Sequence, residues 1–493
     1  GSNSFSGTLL AGGTLALGST NALGDGMFTI SGGSLDSRVP GLVNRRDNPQ
    51  TWSGSFAFLG SQSLHLGNGG VTLTANLTVG ISNSTLTVGG PIDGPFNLTV
   101  DGTTNGTIVL ENNNSFTGFT ALGGTIVIGS DTALGSAGTL QFTPQIGPGV
   151  RLRSKDATPR TIANNVSVNA FDGPYILDGP GDLTFTGSIV SGNGQKRFTV
   201  NNTTTFAGPV TDNGAPNGPL IIDGTGRLIL PIANSMTKTF QVSGATIVLG
   251  DSMAFGSGPL VLNGGALDTT IPDMVLVANN VQTWSGSFGF AGTENLNLGS
   301  GNVSLTTNVT VTVSNKVLTV DGVITGSFAI TKAGAGRLVL NGANNYGNTV
   351  VTAGVLEIAQ ATLRTNSTVS IASGATLQLN FSVTNRVAGL VLNGVAQPAG
   401  VYKSGNSAGL ISGSGALEVV PLGPTEPAVL TSTVAGNQLS LSWPAGQGWR
   451  LQAQTNSLNV GLSNNWTYLT DGSVTSTNIT IDPAAPAVFY RLV

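Results

Sequence analysis

The chain of 493 residues contains 72 Gly, 22 Pro and no Cys, with only 19 Lys or Arg and 23 Asp or Glu. Its formal charge of −4 excludes the strongly basic surface of a nucleic-acid-binding protein, and the missing cysteine excludes disulfides and thiolate metal sites. Because 39% of the residues are hydrophobic, a disordered chain is excluded as well. These values predict an ordered β-protein with many tight turns and a neutral polar surface.

Neither the apolar segments nor the N-terminus carries a membrane-spanning or targeting signal. No apolar run reaches the roughly 18 residues that a membrane-spanning helix needs. The first residues, Gly-Ser-Asn-Ser-Phe, include no methionine, no basic segment and no apolar segment. We therefore expect that a signal peptide has been removed or that the sequence begins inside a longer chain.

Similar segments recur along the chain at a nearly regular spacing. Gly-Thr-Leu-Ala-Leu-Gly at 13–18 returns as Gly-Thr-Ile-Val-Ile-Gly at 124–129. A longer match relates Thr-Trp-Ser-Gly-Ser-Phe at 51–56 to the same six residues at 283–288. The repeat units start near Gly13, Gly124, Gly244 and Gly354. The chain is therefore an array of related units.

Within each unit, apolar residues alternate with Thr. Val71–Thr74, Leu77–Val79 and Leu86–Val88 follow this pattern, which turns the apolar side chains of a strand to one face. Gly and Asn clusters close each short strand, as corners between strands require. The pattern predicts a β-solenoid, in which each coil buries its apolar face against its neighbours. A closed barrel is the alternative, and a propeller would need a period of roughly 40–50 residues.

One pattern shared by the units resembles the autotransporter-associated β-strand repeat. It reads Gly-Ala-Gly-Arg-Leu-Val-Leu at 334–340, Asn-Asn-Tyr at 344–346 and Thr-Ala-Gly-Val-Leu-Glu-Ile at 352–358. Residues 112–128 form a second good copy and residues 3–17 a third. The resemblance implies a right-handed parallel β-helix, as in secreted and surface proteins of Gram-negative bacteria. Many relatives end in a long outer-membrane domain for which this chain has no room, so we do not expect a complete autotransporter.

The composition of the chain changes near its C-terminus. We expect an all-β solenoid over residues 1–420 and a stiff Pro-rich linker over 421–427. Residues 428–493 contain three of the five Trp and alternate as strands do, which predicts a separate domain. This domain resembles small β-sandwich domains that serve as sorting or attachment modules in secreted bacterial proteins. Because its core is small, we expect it to pack on the solenoid or on a partner.

Few residues are suited to catalysis or metal binding. His65 is the only histidine and matches Asn297 in the repeat, so we expect it to point outward, and a Ser-His-Asp triad or a transition-metal site is disfavoured. The acidic cluster of Asp172, Asp178 and Asp182 is a candidate Ca²⁺ site, although such residues more often cap turns. Grouped carboxylates also serve β-helix lyases and glycosidases. We nevertheless expect no enzymatic activity and no other cofactor.

Two further groups of residues allow a structural and a functional interpretation. A basic cluster beside Asp156 consists of Arg151, Arg153, Lys155 and Arg160. We interpret it as a solvated face, and a contact with an anionic glycan is the alternative. Trp52 and Trp284 occupy matching positions, so we interpret them as packing residues, and sugar-stacking platforms are the alternative.

The ends of a solenoid expose strand edges that associate unless they are covered. The sequence begins part-way through a repeat, so we expect a second copy of the chain to cover this end, and an upstream part of the same polypeptide is the alternative. The residues predicted to form this contact are Asn3, Phe5, Leu9, Trp443, Trp449 and Trp466. Head-to-tail contacts of this type generate filaments.

The sequence thus predicts an extracellular structural protein, a self-assembling fibre or surface-layer subunit whose main partners are copies of itself. The first alternative is a monomeric surface adhesin or autotransporter-type passenger that binds extracellular glycans. A polysaccharide-degrading β-helix enzyme is the less favoured alternative. All three hypotheses place the chain outside the cell or on its surface, without a nucleic-acid partner.

Overall fold

The fold is that of a computed structural model, which describes residues 3–4, 6–136, 138–144, 149–168, 173–212, 214, 217–420, 428–445 and 448–493. The chain forms two compact units, Gly1–Gly342 and Ala343–Val493. The described residues of both units form strands and no α-helix. Within this described part, nothing has the helical length and apolarity needed to span a membrane.

The first unit is a parallel β-solenoid whose chain visits three faces in turn, named I, II and III. Strands of successive coils pair in parallel, as Leu77 pairs with Leu98. Face I contains β1 (Gly7–Leu10), β3 (Met27–Ile30), β6 (Gln50–Trp52), β9 (Val71–Leu73), β12 (Ile92–Asp93), β18 (Arg160–Ile162), β21 (Leu183–Phe185), β24 (Thr203–Phe206), β27 (Arg227–Leu230), β29 (Thr246–Leu249), β31 (Ala266–Thr269), β34 (Phe288–Phe290), β37 (Val309–Val313) and β40 (Ile330–Ala333).

The other two faces are built in the same way. Face II contains β2 (Thr14–Leu17), β4 (Ser34–Ser37), β7 (Phe56–Phe58), β10 (Leu77–Ile81), β13 (Asn97–Gly102), β16 (Thr139–Phe142), β19 (Asn165–Val168), β22 (Ile189–Ser191), β25 (Val210–Thr211), β32 (Met274–Val275), β35 (Leu296–Asn297), β38 (Val317–Val320) and β41 (Arg337–Leu340). Face III contains β5 (Leu42–Val43), β8 (Leu64–His65), β11 (Thr85–Val88), β14 (Thr107–Leu110), β17 (Val150–Ser154), β20 (Pro174–Asp178), β23 (Lys196–Val200), β26 (Leu220–Asp223), β28 (Phe240–Val242), β30 (Leu260–Leu262), β33 (Gln282–Trp284), β36 (Val303–Leu305) and β39 (Ile324–Thr325). The long strand β15 (Gly118–Ile128) turns a corner and pairs on face II with its first half and on face III with its second.

Coils differ in length. On face III, Thr107 pairs with Thr125, whereas Gly124 pairs with Val150, so the second of these two coils is clearly the longer. Because paired strands keep their register, the corners take up the difference. The length of a coil is therefore not fixed by its strands.

The period of two in the sequence separates core from surface. In β10, Leu77, Val79 and Ile81 are buried, while Thr78 and Gly80 are partly exposed. The buried side chains of successive coils stack into one continuous core. Each fully buried Val, Leu or Ile side chain stabilises such a core by about 1.5–3 kcal/mol relative to exposure.

Trp52 and Trp284 lie in this core, where both are 0% exposed. The ring of each Trp packs edge-on against Phe56 or Phe288, with 5.0 Å between ring centroids. Each indole N–H donates to a glutamine Oε1 at 3.2 Å. The interpretation of both residues as packing residues is confirmed, because neither ring can offer a face to a sugar.

The Asn-Ser-Phe motif of the repeat replaces a strand by a side-chain bridge. The Oδ1 of Asn114 accepts the backbone N–H of Ile92 at 2.7 Å, and its Nδ2 donates to the carbonyl of Ala133 at 2.6 Å. Asn234 makes the same two contacts at 2.7 Å each, with Val210 and Ala254. Each asparagine therefore joins the preceding coil to the following coil.

Successive copies of this motif lie on successive faces. Ser115 N–H donates to Ile92 of β12, which places the first copy on face I, and Ser235 N–H donates to Val210 of β25, which places the next on face II. Between Asn114 and Asn234, the chain as described crosses a face of the solenoid fifteen times. These crossings are the two halves of β15, the segment at Ala133 that forms no strand, and the twelve strands β16 to β27. Fifteen crossings are five complete coils, so the motif returns one face further on.

The second unit continues with parallel strands and then changes to antiparallel pairing. Its three parallel stacks are β42 (Thr349–Val351), β44 (Thr368–Ile371) and β47 (Gly389–Leu392); β43 (Val355–Ile358), β45 (Thr376–Leu379) and β50 (Ile411–Gly413); and β46 (Thr384–Val387) with β51 (Ala416–Val419). The short strands β48 (Val395–Ala396) and β49 (Gly400–Tyr402) pair antiparallel with β47 and β51. These two strands interrupt the parallel pattern.

Residues 428–493, the C-terminal module, form two antiparallel three-stranded sheets. One sheet contains β52 (Thr431–Ala435), β53 (Gln438–Ser442) and β56 (Ser476–Thr480), and the other contains β54 (Leu451–Thr455), β55 (Thr467–Tyr468) and β57 (Val488–Leu492). A core of Leu441, Trp443, Trp449 and Leu451 connects the sheets. The predicted parallel β-solenoid is confirmed, and the two small sheets support the predicted sandwich. The right-handed sense and the domain limits stay predictions, and the linker at 421–427 lies outside the described residues.

Candidate functional site

A group of charged side chains lies on the outer surface of face III. In β17, Val150 and Leu152 point into the core, so the pleat turns Arg151 and Arg153 outward. Both arginines contact Asp178 on the next coil, with Nε to carboxylate oxygen distances of 3.4 and 3.6 Å. We call these three residues the arginine cluster. Two guanidinium groups share one carboxylate, so the cluster carries a net charge of about +1 at neutral pH.

Neighbouring ion pairs on this face are balanced. Arg197 NH1 lies 2.5 Å from an oxygen of Asp223. Lys155 Nζ lies 2.5 Å from Glu111, whose other carboxylate oxygen is 3.4 Å from His65 Nε2. Exposed pairs of this kind stabilise a fold by at most about 1 kcal/mol each. Their main effect is to leave the arginine cluster as the local excess of positive charge.

His65 lies where the sequence analysis expects it. Leu64 and Leu66 are buried in the core on either side of it, and the imidazole is turned outward. The Nδ1 atom accepts the backbone N–H of Gly67 at 2.9 Å. The prediction that this histidine points away from the core is confirmed.

A small pocket opens beside the arginine cluster. It has a volume of about 180 Å³ and is lined by Thr104, Gly124, Thr125, Gly149, Arg151 and Ile176. The β-ladder places Thr125, Arg151 and Ile176 side by side on three successive coils. A hydroxyl, a guanidinium and an apolar side chain therefore form one row across the face.

The remaining residues of the basic cluster lie at a corner after β17. Arg160 NH2 is 2.7 Å from Asp156 Oδ1. Hydrogen bonds from the side chain and the backbone N–H of Thr158 lower the pKa of Asp156, and the charges of Arg160 and Lys155 lower it further. This part of the basic cluster is a balanced corner, in which the Arg160 side chain is only 11% exposed and Asp156 faces the solvent.

The acidic cluster does not come together as a metal site in the part of the chain that the structure describes. Asp178 contacts the two arginines, and Asp182 is exposed, with its backbone carbonyl accepting the N–H of Arg160 at 2.9 Å. Asp172 lies outside the described residues. Among those described, no group of three His, Asp or Glu side chains could hold a metal ion. The calcium hypothesis stays a prediction.

The residues predicted to mediate self-assembly occupy different environments. Asn3 donates from Nδ2 to the carbonyl of Ala22 at 2.7 Å, and Leu9 is 66% exposed. Trp443 and Trp449 are buried in the core of the C-terminal module. Trp466 packs against Arg491, whose guanidinium carbon lies 4.2 Å from the centroid of the indole ring. Phe5 lies outside the described residues, and the assembly role of the whole set stays a prediction.

Three buried lysines were missed by sequence reasoning. Lys196, Lys238 and Lys332 are at most 1% exposed. The ammonium of Lys238 donates to the carbonyl of Gly192 at 2.7 Å, and burial lowers its pKa, as does the nearby charge of Lys196. Burial lowers the pKa of Lys332 to about 8. Lys332 follows Ile330 at a spacing of two, which was the available signal that it points inward.

These lysines are enclosed by the backbone. The ammonium of Lys332 donates to the carbonyls of Ala333 and Gly334 at 2.9 and 2.8 Å. Such a group lacks the access to substrate that a nucleophile requires. We therefore assign the buried lysines to the internal hydrogen bonding of the coils.

Comparison with known proteins agrees with the fold. The family model of the passenger-associated-transport-repeat matches residues 1–17 and 330–358. In an alignment 347 residues long that covers 62% of the chain, the chain is 28% identical to the adhesin BmaC autotransporter of Brucella suis biovar 1 (strain 1330). The match covers 10% of that adhesin, so the chain spans about a tenth of the relative's length. No solved structure matches the chain. The repeat motif, the parallel coils and these two matches support a resemblance of the chain to autotransporter-associated β-helix proteins.

Proposed function

We propose that the chain is a passenger segment of a bacterial surface adhesin, displayed outside the cell, where its solenoid offers a contact surface to glycans. The observation that carries this proposal is the similarity to an autotransporter adhesin over 347 residues. The match covers 62% of the chain, which is more than two repeat units, so the similarity extends over many coils. The proposal gives the chain a binding role and no catalytic role.

The structure of the first unit suits a binding surface. Thr and Ser side chains cover much of the outer faces, so hydroxyl groups are presented in rows about 4.8 Å apart, the spacing of adjacent strands. Rows of hydroxyls and few charges permit hydrogen bonding with a neutral or weakly charged polymer. The core is continuous, so these rows are held on a rigid support.

Adhesion can be tested with the intact chain coupled to beads. We expect the beads to retain cells or cell-surface glycans, and free soluble chain to compete for this retention. Beads coated with the heat-unfolded chain are the matched control. Retention no greater than on the control beads would contradict the proposal, and so would cleavage of the retained glycans, which would indicate an enzyme.

Localisation needs a separate measurement. Protease treatment of intact cells should degrade the chain while cytoplasmic marker proteins survive. Protection of the chain in intact cells, followed by degradation after lysis, would place it inside the cell and refute the surface assignment.

Self-assembly into fibres is the second candidate function, and the exposed Leu9 favours it. This apolar side chain points outward from β1 and is 66% exposed, so contact with a second copy would remove it from water. We expect filaments by negative-stain electron microscopy of the purified chain and their loss in Leu9→Glu. Val281→Glu, at a similarly exposed valine, is the matched control. Discrete particles at all protein concentrations would refute the fibre hypothesis.

A further inference from the structure

The arginine cluster and its pocket have the composition of a binding site for an anionic sugar. Arg151 lies in the wall of the pocket, beside the hydroxyl-bearing residues Thr104 and Thr125. Gly124 and Gly149 contribute backbone alone to the wall, because a Cβ at either position would collide with the backbone of Gly102 or Pro174. Ile176 adds an apolar surface of the kind that packs against the C–H groups of a sugar ring. The pocket of about 180 Å³ has the volume of about six liquid water molecules, which is the size of one monosaccharide.

The ion pairing of the cluster leaves it able to take an additional anion. The contacts of Arg151 and Arg153 to Asp178 measure 3.4 and 3.6 Å, longer than the roughly 2.7–2.9 Å of a tight charge-assisted hydrogen bond. Both contacts use Nε, and each guanidinium has five N–H donors in all. The terminal nitrogens of Arg151 form the planar fork that binds a carboxylate through two parallel hydrogen bonds.

The site is accessible to a polymer. The side chains of Arg151 and Arg153 are each 39% exposed on a flat parallel sheet. Adjacent strands are about 4.8 Å apart, close to the length of one sugar residue in an extended polysaccharide. A chain of sugars laid across the strands would therefore place one residue per coil, with Thr125, Arg151 and Ile176 contacting consecutive positions.

We propose that Arg151, Arg153 and the adjoining pocket form a subsite for a hexuronate residue of an acidic polysaccharide, bound through its carboxylate. Asp178 orients both guanidiniums and competes with the ligand carboxylate for them. The proposal names the ligand class for the surface assigned above as an adhesin. It rests on the site geometry alone, so binding of the polysaccharide in solution and adhesion of cells are separate outcomes.

The test is a titration of the intact purified chain with oligogalacturonate, with dextran sulfate and neutral dextran of similar length as comparison ligands. We expect oligogalacturonate to bind and neutral dextran not to bind. Arg151→Gln should weaken the binding about tenfold, and Arg151→Lys should weaken it several-fold, because an ammonium keeps the charge but loses the fork. Arg197→Gln, which changes an arginine paired with its own carboxylate two coils further on, should leave the affinity unchanged.

Asp178→Asn gives the sharpest prediction. It removes the competing charge and keeps the side-chain size, so oligogalacturonate should bind several-fold more tightly. A purely structural role for Asp178 predicts the opposite, a loss of affinity together with a lower melting temperature.

Four outcomes would overturn the proposal. Three of them are equal binding of neutral dextran, an unchanged affinity in Arg151→Gln, and weaker binding in Asp178→Asn when circular dichroism shows an intact fold. Tighter binding of dextran sulfate that is insensitive to Arg151→Gln would indicate diffuse charge attraction and would overturn the subsite as well. Loss of cell adhesion with intact binding of oligogalacturonate would refute the proposed function and leave the subsite standing.

Discussion

The asparagine bridge of the repeat motif can be tested by removing one side chain. Asn114 is buried, and it satisfies the backbone N–H of Ile92 and the carbonyl of Ala133, which belong to different coils. In Asn114→Ala both groups lose their partner, because the methyl group of alanine offers neither a donor nor an acceptor in exchange. The substitution therefore tests whether the motif holds neighbouring coils together.

The expected cost follows from the two orphaned groups. A buried backbone group without a partner costs about 1–3 kcal/mol, so the two together cost about 2–6 kcal/mol. Because solenoid coils contact only their neighbours, the loss should appear as local opening rather than as a uniform change of the whole array. A tenfold change in an equilibrium corresponds to about 1.4 kcal/mol, so the opening equilibrium should rise at least about thirtyfold.

The assay is native-state hydrogen exchange read out by mass spectrometry over residues 86–134. Asn113→Ala is the matched control, since Asn113 is the exposed neighbour in the same motif and its Oδ1 accepts the Thr132 hydroxyl at 3.1 Å on the surface. We expect the control to change the opening free energy by no more than about 0.5 kcal/mol. Equal loss of protection in both variants, or unchanged protection in Asn114→Ala, would refute the bridge.

Three further substitutions address the core and the buried charges. Burial lowers the pKa of Lys332 to about 8 in the folded chain, below its pKa in the unfolded chain. Above about pH 8 the unfolded chain therefore binds more protons than the folded chain. The free energy of unfolding should consequently rise as the pH increases from about 8 to about 10. Lys332→Met should flatten this rise in chemical denaturation, and an unchanged slope would contradict the assignment. Trp284→Phe removes the indole hydrogen bond and leaves part of the core unfilled. The opening free energy of the surrounding coil, measured by hydrogen exchange, should therefore fall by about 2–4 kcal/mol. As the control, Trp466→Phe in the C-terminal module should leave the opening free energy of that coil unchanged. Burial raises the pKa of Asp212, but hydrogen bonds from the backbone N–H of Thr237 and Lys238 and from the Thr237 hydroxyl lower the pKa more, so the net shift is downward. The contribution of Asp212 to the free energy of unfolding is therefore lost as the pH falls below about 4. Asp212→Asn should remove that part of the acid sensitivity, and identical acid-unfolding curves of the two proteins would refute this prediction.

Sequence reasoning was strongest where side chains alternate. The period of two in Leu77–Ile81 separates buried from exposed positions, and the same rule places His65 outside and Trp284 inside. These predictions succeed because the pleat of a strand is a local property, decided by neighbouring residues alone. The same alternation places Lys332 in the core, although a charged side chain is not expected there.

The candidate site depends on distances that the sequence does not show. Lys155 reaches Glu111 across 44 positions, and Arg151 meets Asp178 only because the coil between them has a particular length. The coil that ends at β15 is short, and the coil that follows β15 is long. The number of residues between two positions therefore does not tell whether they lie side by side on successive coils. The basic cluster at 151–160 was visible in the sequence, but its division into a balanced corner and an unbalanced arginine cluster was not.

By itself, the sequence determined the class of the fold, since alternation, Gly and Asn corners and repeated units permit little besides a solenoid. It also indicated which apolar residues of the alternating strands point into the core, but not the buried lysines. Only the tertiary structure decided that the repeat motif moves by one face per unit and that Arg151, Arg153 and Asp178 share one surface. The reason is physical. The local pattern of residues fixes where a side chain points relative to its own strand. The lengths of the corners decide which residues of successive coils lie side by side, and differences in corner length add up along the chain.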